Sequence, residues 1–131
     1  LVSRLFELQL NKKMMKTPSP TLKAHLKLVQ DVKSTIQTNL SNNLNLKQLA
    51  KMNNTSAFHL SRVFKSVCGY GINQYRTQQR LRNVFLKLQK GNEDLAYLAM
   101  DHGFSSHSHL TYSFKKYFNK TPTELISSNS F

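Results

Sequence analysis

Arg62 offers the sharpest chemistry in this chain. A guanidinium carries its donors in a rigid fork, and two of them match the O6 and N7 acceptors of a guanine edge. Arg62 stands at helical spacing from Phe58 and Lys65, with Ser61 beside it, and opposite Leu60, Val63, Phe64 and Val67. A helix there buries the aliphatic face and exposes a Phe58–Arg62–Lys65 edge. Phe58 suits contact with a thymine methyl group, and Lys65 suits a phosphate. A later stretch divides the same way: Leu110, Phe114 and Tyr117 on one face, Ser108, Tyr112 and Lys115 opposite, with Thr111 beside them. The candidate base-reading residues are therefore Phe58, His59, Ser61, Arg62, His107, Ser108, Thr111 and Tyr112. The candidate phosphate contacts are Thr55, Ser56, Lys65, Ser106, Lys115 and Lys116. Single hydroxyls discriminate bases less than an arginine fork does. The first stretch is thus expected to carry more base specificity and the second more backbone affinity.

Other chemistries fit poorly. Asp101, His102, His107 and His109 cluster in sequence, but their spacing matches no zinc pattern. Cys68 precedes a glycine at a helix end and reads as a small packed residue rather than a reactive thiol. Acids are too scarce for paired-carboxylate catalysis, and no glycine-rich phosphate loop is present. Neither an enzyme nor a metal or cofactor site is expected. The 19 Lys and Arg against 6 Asp and Glu give a formal charge of +13, which calls for a polyanionic partner: nucleic acid or an anionic membrane surface. No apolar run approaches the ~18 residues needed to span a bilayer. A single cysteine rules out an internal disulfide and suits a reducing compartment, so a cytoplasmic location is expected.

The elements that must carry these edges are helical, since Gly and Pro are few and β-branched runs are missing. Residues 1–15 carry Leu1, Leu5 and Leu8 on one stripe and read as a short amphipathic helix. Lys16-Thr17-Pro18-Ser19-Pro20 breaks it. Thr21 is the expected cap of a long helix to about Asn39. Asn45 with Gln48 opens a short helix through Met52, and Asn53-Asn54 turns. Thr55 is the expected cap of a helix to Val67, ended by Gly69-Tyr70-Gly71. A long basic helix spans 72–89 before Gly91. Asn92 is the expected cap of a helix to His102, Gly103-Phe104-Ser105 turns, and a helix follows over 106–117. Thr121-Pro122-Thr123-Glu124 is a capping box for a last short helix.

An internal repeat joins these pieces. Leu49-Ala50 recurs 49 residues on as Leu98-Ala99, and Leu60, Phe64 and Lys65 recur 50 residues on as Leu110, Phe114 and Lys115. Past the helix, Gly71 aligns with Thr121, Gln74 with Glu124 and Tyr75 with Leu125. Each unit is a short helix with a small residue for close crossing, a turn with a residue that accepts positive φ (Asn54, Gly103), and a second helix.

These motifs resemble the AraC/XylS family of bacterial transcription regulators. The carrying residues are Leu46-Lys47-Gln48-Leu49-Ala50 with Ser56-Ala57-Phe58-His59-Leu60-Ser61-Arg62-Val63-Phe64-Lys65, then Leu98-Ala99 through Gly103-Phe104-Ser105 and Ser108-His109-Leu110 to Phe114-Lys115-Lys116-Tyr117-Phe118 and Thr121-Pro122. The resemblance covers about 25–126. It implies an all-α, homeodomain-like fold of about seven helices, with two helix-turn-helix subdomains (21–71 and 91–131) joined by a linker helix (72–90). It implies double-stranded DNA as partner, with two reading helices in successive major-groove segments, and activation through RNA polymerase in a bacterial, nucleoid-associated setting. Residues 1–20 read as the remnant of an upstream effector or dimerisation domain through which a homodimer would form. Four positions depart from the family pattern: Tyr112 where arginine is common, Val84 where a small alanine is usual, and Leu125-Ile126 where Tyr-Arg is common. Charge alone leaves a nonspecific RNA- or nucleoid-binding protein as an alternative. A membrane-surface module built on 1–16, with Lys12, Lys13 and Lys16 nearby, is a weaker one.

Overall fold

The structure, a computed structural model, describes residues 19–91 and 94–128. Among these residues the chain forms seven helices and no strand. They are α1 (Pro20–Thr38), α2 (Leu46–Met52), α3 (Ala57–Cys68), α4 (Ile72–Gln89), α5 (Leu95–Asp101), α6 (His107–Phe118) and α7 (Pro122–Ser128). The amphipathic segment expected over 1–15 lies outside the described residues.

Two apolar clusters form, and α4 serves both. Its first half places Ile72 and Tyr75 in a core with Val29, Val32, Ile36, Leu49, Leu60, Val63 and Phe64. Its second half places Leu81, Val84 and Leu88 in a core with Leu98, Ala99, Phe104, Leu110 and Phe114. Val84, the departure from a small residue, is fully buried in that second core.

The repeat holds at the level of single hydrogen bonds. Thr55 N–H donates to Ala50 O at 3.0 Å, and Phe104 N–H to Ala99 O at 2.8 Å. The Asn53 side-chain amide donates to Leu49 O at 2.8 Å, and 49 residues later His102 Nδ1 meets Leu98 O at 2.9 Å. A carbonyl only accepts, so Nδ1 of His102 carries the proton there. Its ring is buried and bonded to the backbone. Both turns take a positive φ, 55° at Asn54 and 84° at Gly103.

Several helix starts differ from the sequence expectation by one or two residues. Ser19, not Thr21, caps α1, and its Oγ accepts from Leu22 N–H at 3.1 Å. The proline at Pro20 occupies the first helical position, where a missing N–H costs nothing, so Thr21 falls inside the helix. Ser56, not Thr55, caps α3 through its Oγ, while Thr55 still belongs to the turn, its N–H bonded to Ala50 O. Asp94 caps α5 by accepting from Ala96 N–H at 3.0 Å, so α5 starts at Leu95, while Asn92 lies outside the described residues. Asn45 and Gln48 form the expected capping box, as do Thr121 and Glu124.

Candidate nucleic-acid interface

The two candidate reading helices, α3 and α6, are built alike. Each has twelve residues. Each is capped by a serine whose Oγ accepts from the third amide of the helix: His59 N–H to Ser56 at 3.1 Å, His109 N–H to Ser106 at 3.0 Å. Each ends in a left-handed residue, Gly69 or Asn119, whose N–H returns to Lys65 O or Lys115 O at 2.8 Å. Such a cap satisfies the last carbonyls and stops the helix at a fixed length. Leu60 and Leu110, fully buried, root the two helices in their respective cores.

With those faces buried, the opposite edges are exposed. In α3, Phe58 is 77% exposed, and Ser61, Arg62 and Lys65 are exposed with it. These four residues line one shallow depression together with Ser66. The Arg62 guanidinium carbon lies 5.9 Å from the Phe58 ring centre, so the ring steadies the cation while its donors stay open. In α6, His107, Ser108, Lys115 and Lys116 are exposed, Tyr112 is 69% exposed, and Thr111 is half-buried. Ser56 and Ser106 are exposed at the helix starts, and Thr55 is half-buried just before Ser56. Among the described residues, none of Arg62, Lys65, Lys115 and Lys116 has a carboxylate partner, and the one lysine or arginine ion pair is Lys27–Asp31, at 2.9 Å. Both edges therefore carry uncompensated positive charge.

Two expected positions sit elsewhere. His59 turns off the exposed edge: it is half-buried, and its ring meets His25 of α1 edge-on at 5.7 Å. Tyr117, expected inside, is 44% exposed. Phe118 takes the inner place, 4.6 Å from the Phe114 ring and 5.3 Å from Phe85. The stripe Leu110–Phe114–Phe118 advances by four residues at each step, and that period carries it one position past Tyr117.

Sequence reasoning missed two features. Asn73, Gln74, Thr77 and Gln78 of α4 line a groove with Tyr112 and Lys116 of α6, extending the second edge along the linker helix. Their polar run between Ile72 and Leu81 was the available signal. The other is Arg80, only 8% exposed, whose guanidinium is bonded to both halves of the molecule. Burial and the nearby Arg76 pull its pKa below the ordinary arginine value. A basic residue on a basic helix gives no sequence signal of burial.

A family profile described as a helix-turn-helix domain matches residues 49–128. The multiple antibiotic resistance protein MarA of Escherichia coli (strain K12) is 36% identical over 87 residues, covering 66% of this chain and 68% of MarA. An AraC-type transcriptional regulator from Chromobacterium violaceum superposes with a TM-score of 0.75 at 23% identity, over 82% of this chain and 96% of that one. The DNA-binding domain of AdpA, a global transcriptional factor solved in complex with a target DNA, superposes with a TM-score of 0.71 at 20% identity, over 76% of this chain and 90% of that one. At those identities the two structures speak for the fold, while the profile and MarA speak for descent. The chain belongs to the AraC/XylS family of helix-turn-helix transcription regulators.

Proposed function

We propose that this chain binds a promoter by placing α3 and α6 in successive major-groove segments of one DNA duplex. The observation that carries this reading is the pair of matched, exposed, unneutralised edges on two helices of equal length and equal capping. An α-helix fits the major groove, and a cationic edge without internal partners gains from meeting phosphates. In this reading Arg62 reads a guanine, with Phe58 and Ser61 beside it. Ser108, Thr111, Tyr112 and His107 make the weaker base contacts. Thr55, Ser56, Lys65, Ser106, Lys115 and Lys116 hold phosphates, the two serines beside the free amides of helix N-termini. His59 supports α3 from behind through His25.

Activation through RNA polymerase is the second part of the proposal. The outer face of α5 exposes Tyr97 and Met100, bordered by Asp94 and Asp101. The equivalent positions of α2 hold Gln48 and Lys51. An apolar face with an acidic rim suits a protein better than DNA.

Selection of bound duplexes from a random pool tests the reading. Two boxes are expected, the one under α3 more sharply defined. Arg62→Ala should weaken binding to the selected duplex about 5- to 150-fold, as loss of one bidentate base contact implies, and relax the sequence at one position. Equal loss on every sequence would instead favour a nonspecific nucleic-acid binder. With about six phosphates neutralised, affinity should fall about 10³-fold between 50 and 200 mM salt.

A further inference from the structure

Arg80 sits where α4 passes from one core to the other. Its Nε donates to Leu40 O at 2.8 Å, and its Nη2 donates to Asn42 O and Asn43 Oδ1, both at 3.1 Å. Its Nη1 donates to Gly103 O at 3.2 Å. Leu40 and Asn42 follow the C-terminus of α1, and Gly103 follows that of α5. The buried guanidinium is therefore held by carbonyls just past two helix C-termini, one from each half, and among the described residues it has no carboxylate partner. Gly103 also belongs to the turn that aims α6. A planar fork bonded on both sides resists hinge rotation, because either half can swing only by breaking a charged hydrogen bond.

We propose that Arg80 is a positioning residue that fixes the separation and rotation of the two reading helices, and so sets which spacing between two DNA boxes the protein accepts. The proposal rests on the two-groove reading above. One inserted base pair moves the second box by about 3.4 Å and turns it by about 35°. A rigid pair of lobes cannot follow, whereas a hinged pair can. The hinged pair has a lower effective concentration at the native spacing, and so binds it more weakly. Loss of the fork should therefore move the two affinities in opposite relative directions, which mere partial unfolding does not do.

The test uses the duplex recovered from random-pool selection, the same duplex with one base pair inserted between boxes, and a duplex carrying the first box alone. Two variants are made, Arg80→Met and Arg80→Lys. An ammonium keeps the charge but has no fork to hold both sides, so Arg80→Lys serves even where Arg80→Met does not fold. The wild type should lose about 10-fold or more on the insertion, a penalty equal to one lost contact set. Arg80→Lys should bind the native spacing more weakly, cut the insertion penalty below about 3-fold, and leave first-box binding within about 2-fold. A folded Arg80→Lys that keeps the full insertion penalty overturns the proposal while leaving two-groove binding intact. A wild type indifferent to the insertion overturns the two-groove reading, and the role of Arg80 with it.

Discussion

Gly103→Ala puts a number on the contact between the Arg80 fork and the second turn. Gly103 has φ +84°, and a Cβ placed there would lie 2.8 Å from Arg80 Cζ and 2.9 Å from Nη2. The conformational cost of an alanine in the left-handed region is about 1–2 kcal/mol. The steric cost depends on whether Arg80 can yield. Four hydrogen bonds hold its guanidinium, so making room breaks at least one bond from a charged donor, about 1.5–3 kcal/mol. Together the substitution should cost about 2.5–5 kcal/mol, a large share of the stability of a domain this size. Gly91→Ala is the control, because Gly91 has φ +81° and no heavy atom within 4 Å of the added Cβ. It should lose only the conformational part. Gly103→Asn separates the two costs further: asparagine takes a positive φ at the matching turn position, Asn54, yet still brings a Cβ. Urea unfolding followed by circular dichroism at constant slope measures all three. The reasoning fails if Gly103→Ala and Gly91→Ala cost the same within about 0.5 kcal/mol, or if Gly103→Asn is neutral.

Two further outcomes follow from burial. Leu60→Ala and Leu110→Ala remove fully buried side chains at equivalent places, so each should cost about 2–5 kcal/mol in the same unfolding assay; a loss under about 1 kcal/mol at either would contradict its placement in a closed core. Burial raises the pKa of the half-buried Cys68 thiol above its ordinary 9.0, and the charge of Lys33 offsets this only in part. The folded state then holds the thiol proton more tightly than the unfolded state. This contribution to stability is complete below 9.0 and is lost as the pH rises past the raised value. Alkylation of Cys68 at about pH 8.5 should accordingly be slower in the folded protein than in urea, and equal rates would count against it.

The sequence by itself determined the helices, their repeat and the two exposed edges, because these follow from local rules. The 3.6-residue period places Leu60 and Phe64 on one side of α3 and Arg62 and Lys65 on the other, whatever the helix packs against. Serine, asparagine and glycine mark helix ends through bonds to their own neighbours, which is why the ends fell within one or two residues. Family descent was legible in the same motifs. What only the tertiary structure decided depends on residues far apart in the chain. His59 leaves the exposed edge of α3 because His25 of α1 lies beside it, and Phe85 of α4 packs against the inner place that the period of α6 gives to Phe118. Arg80 reads in sequence as one more surface cation. It becomes a buried fork because the carbonyl ends of two helices, 40 residues before it and 23 after, converge on the middle of α4. A one-dimensional pattern records periods and neighbours, and convergence of that kind exists only once both cores have closed.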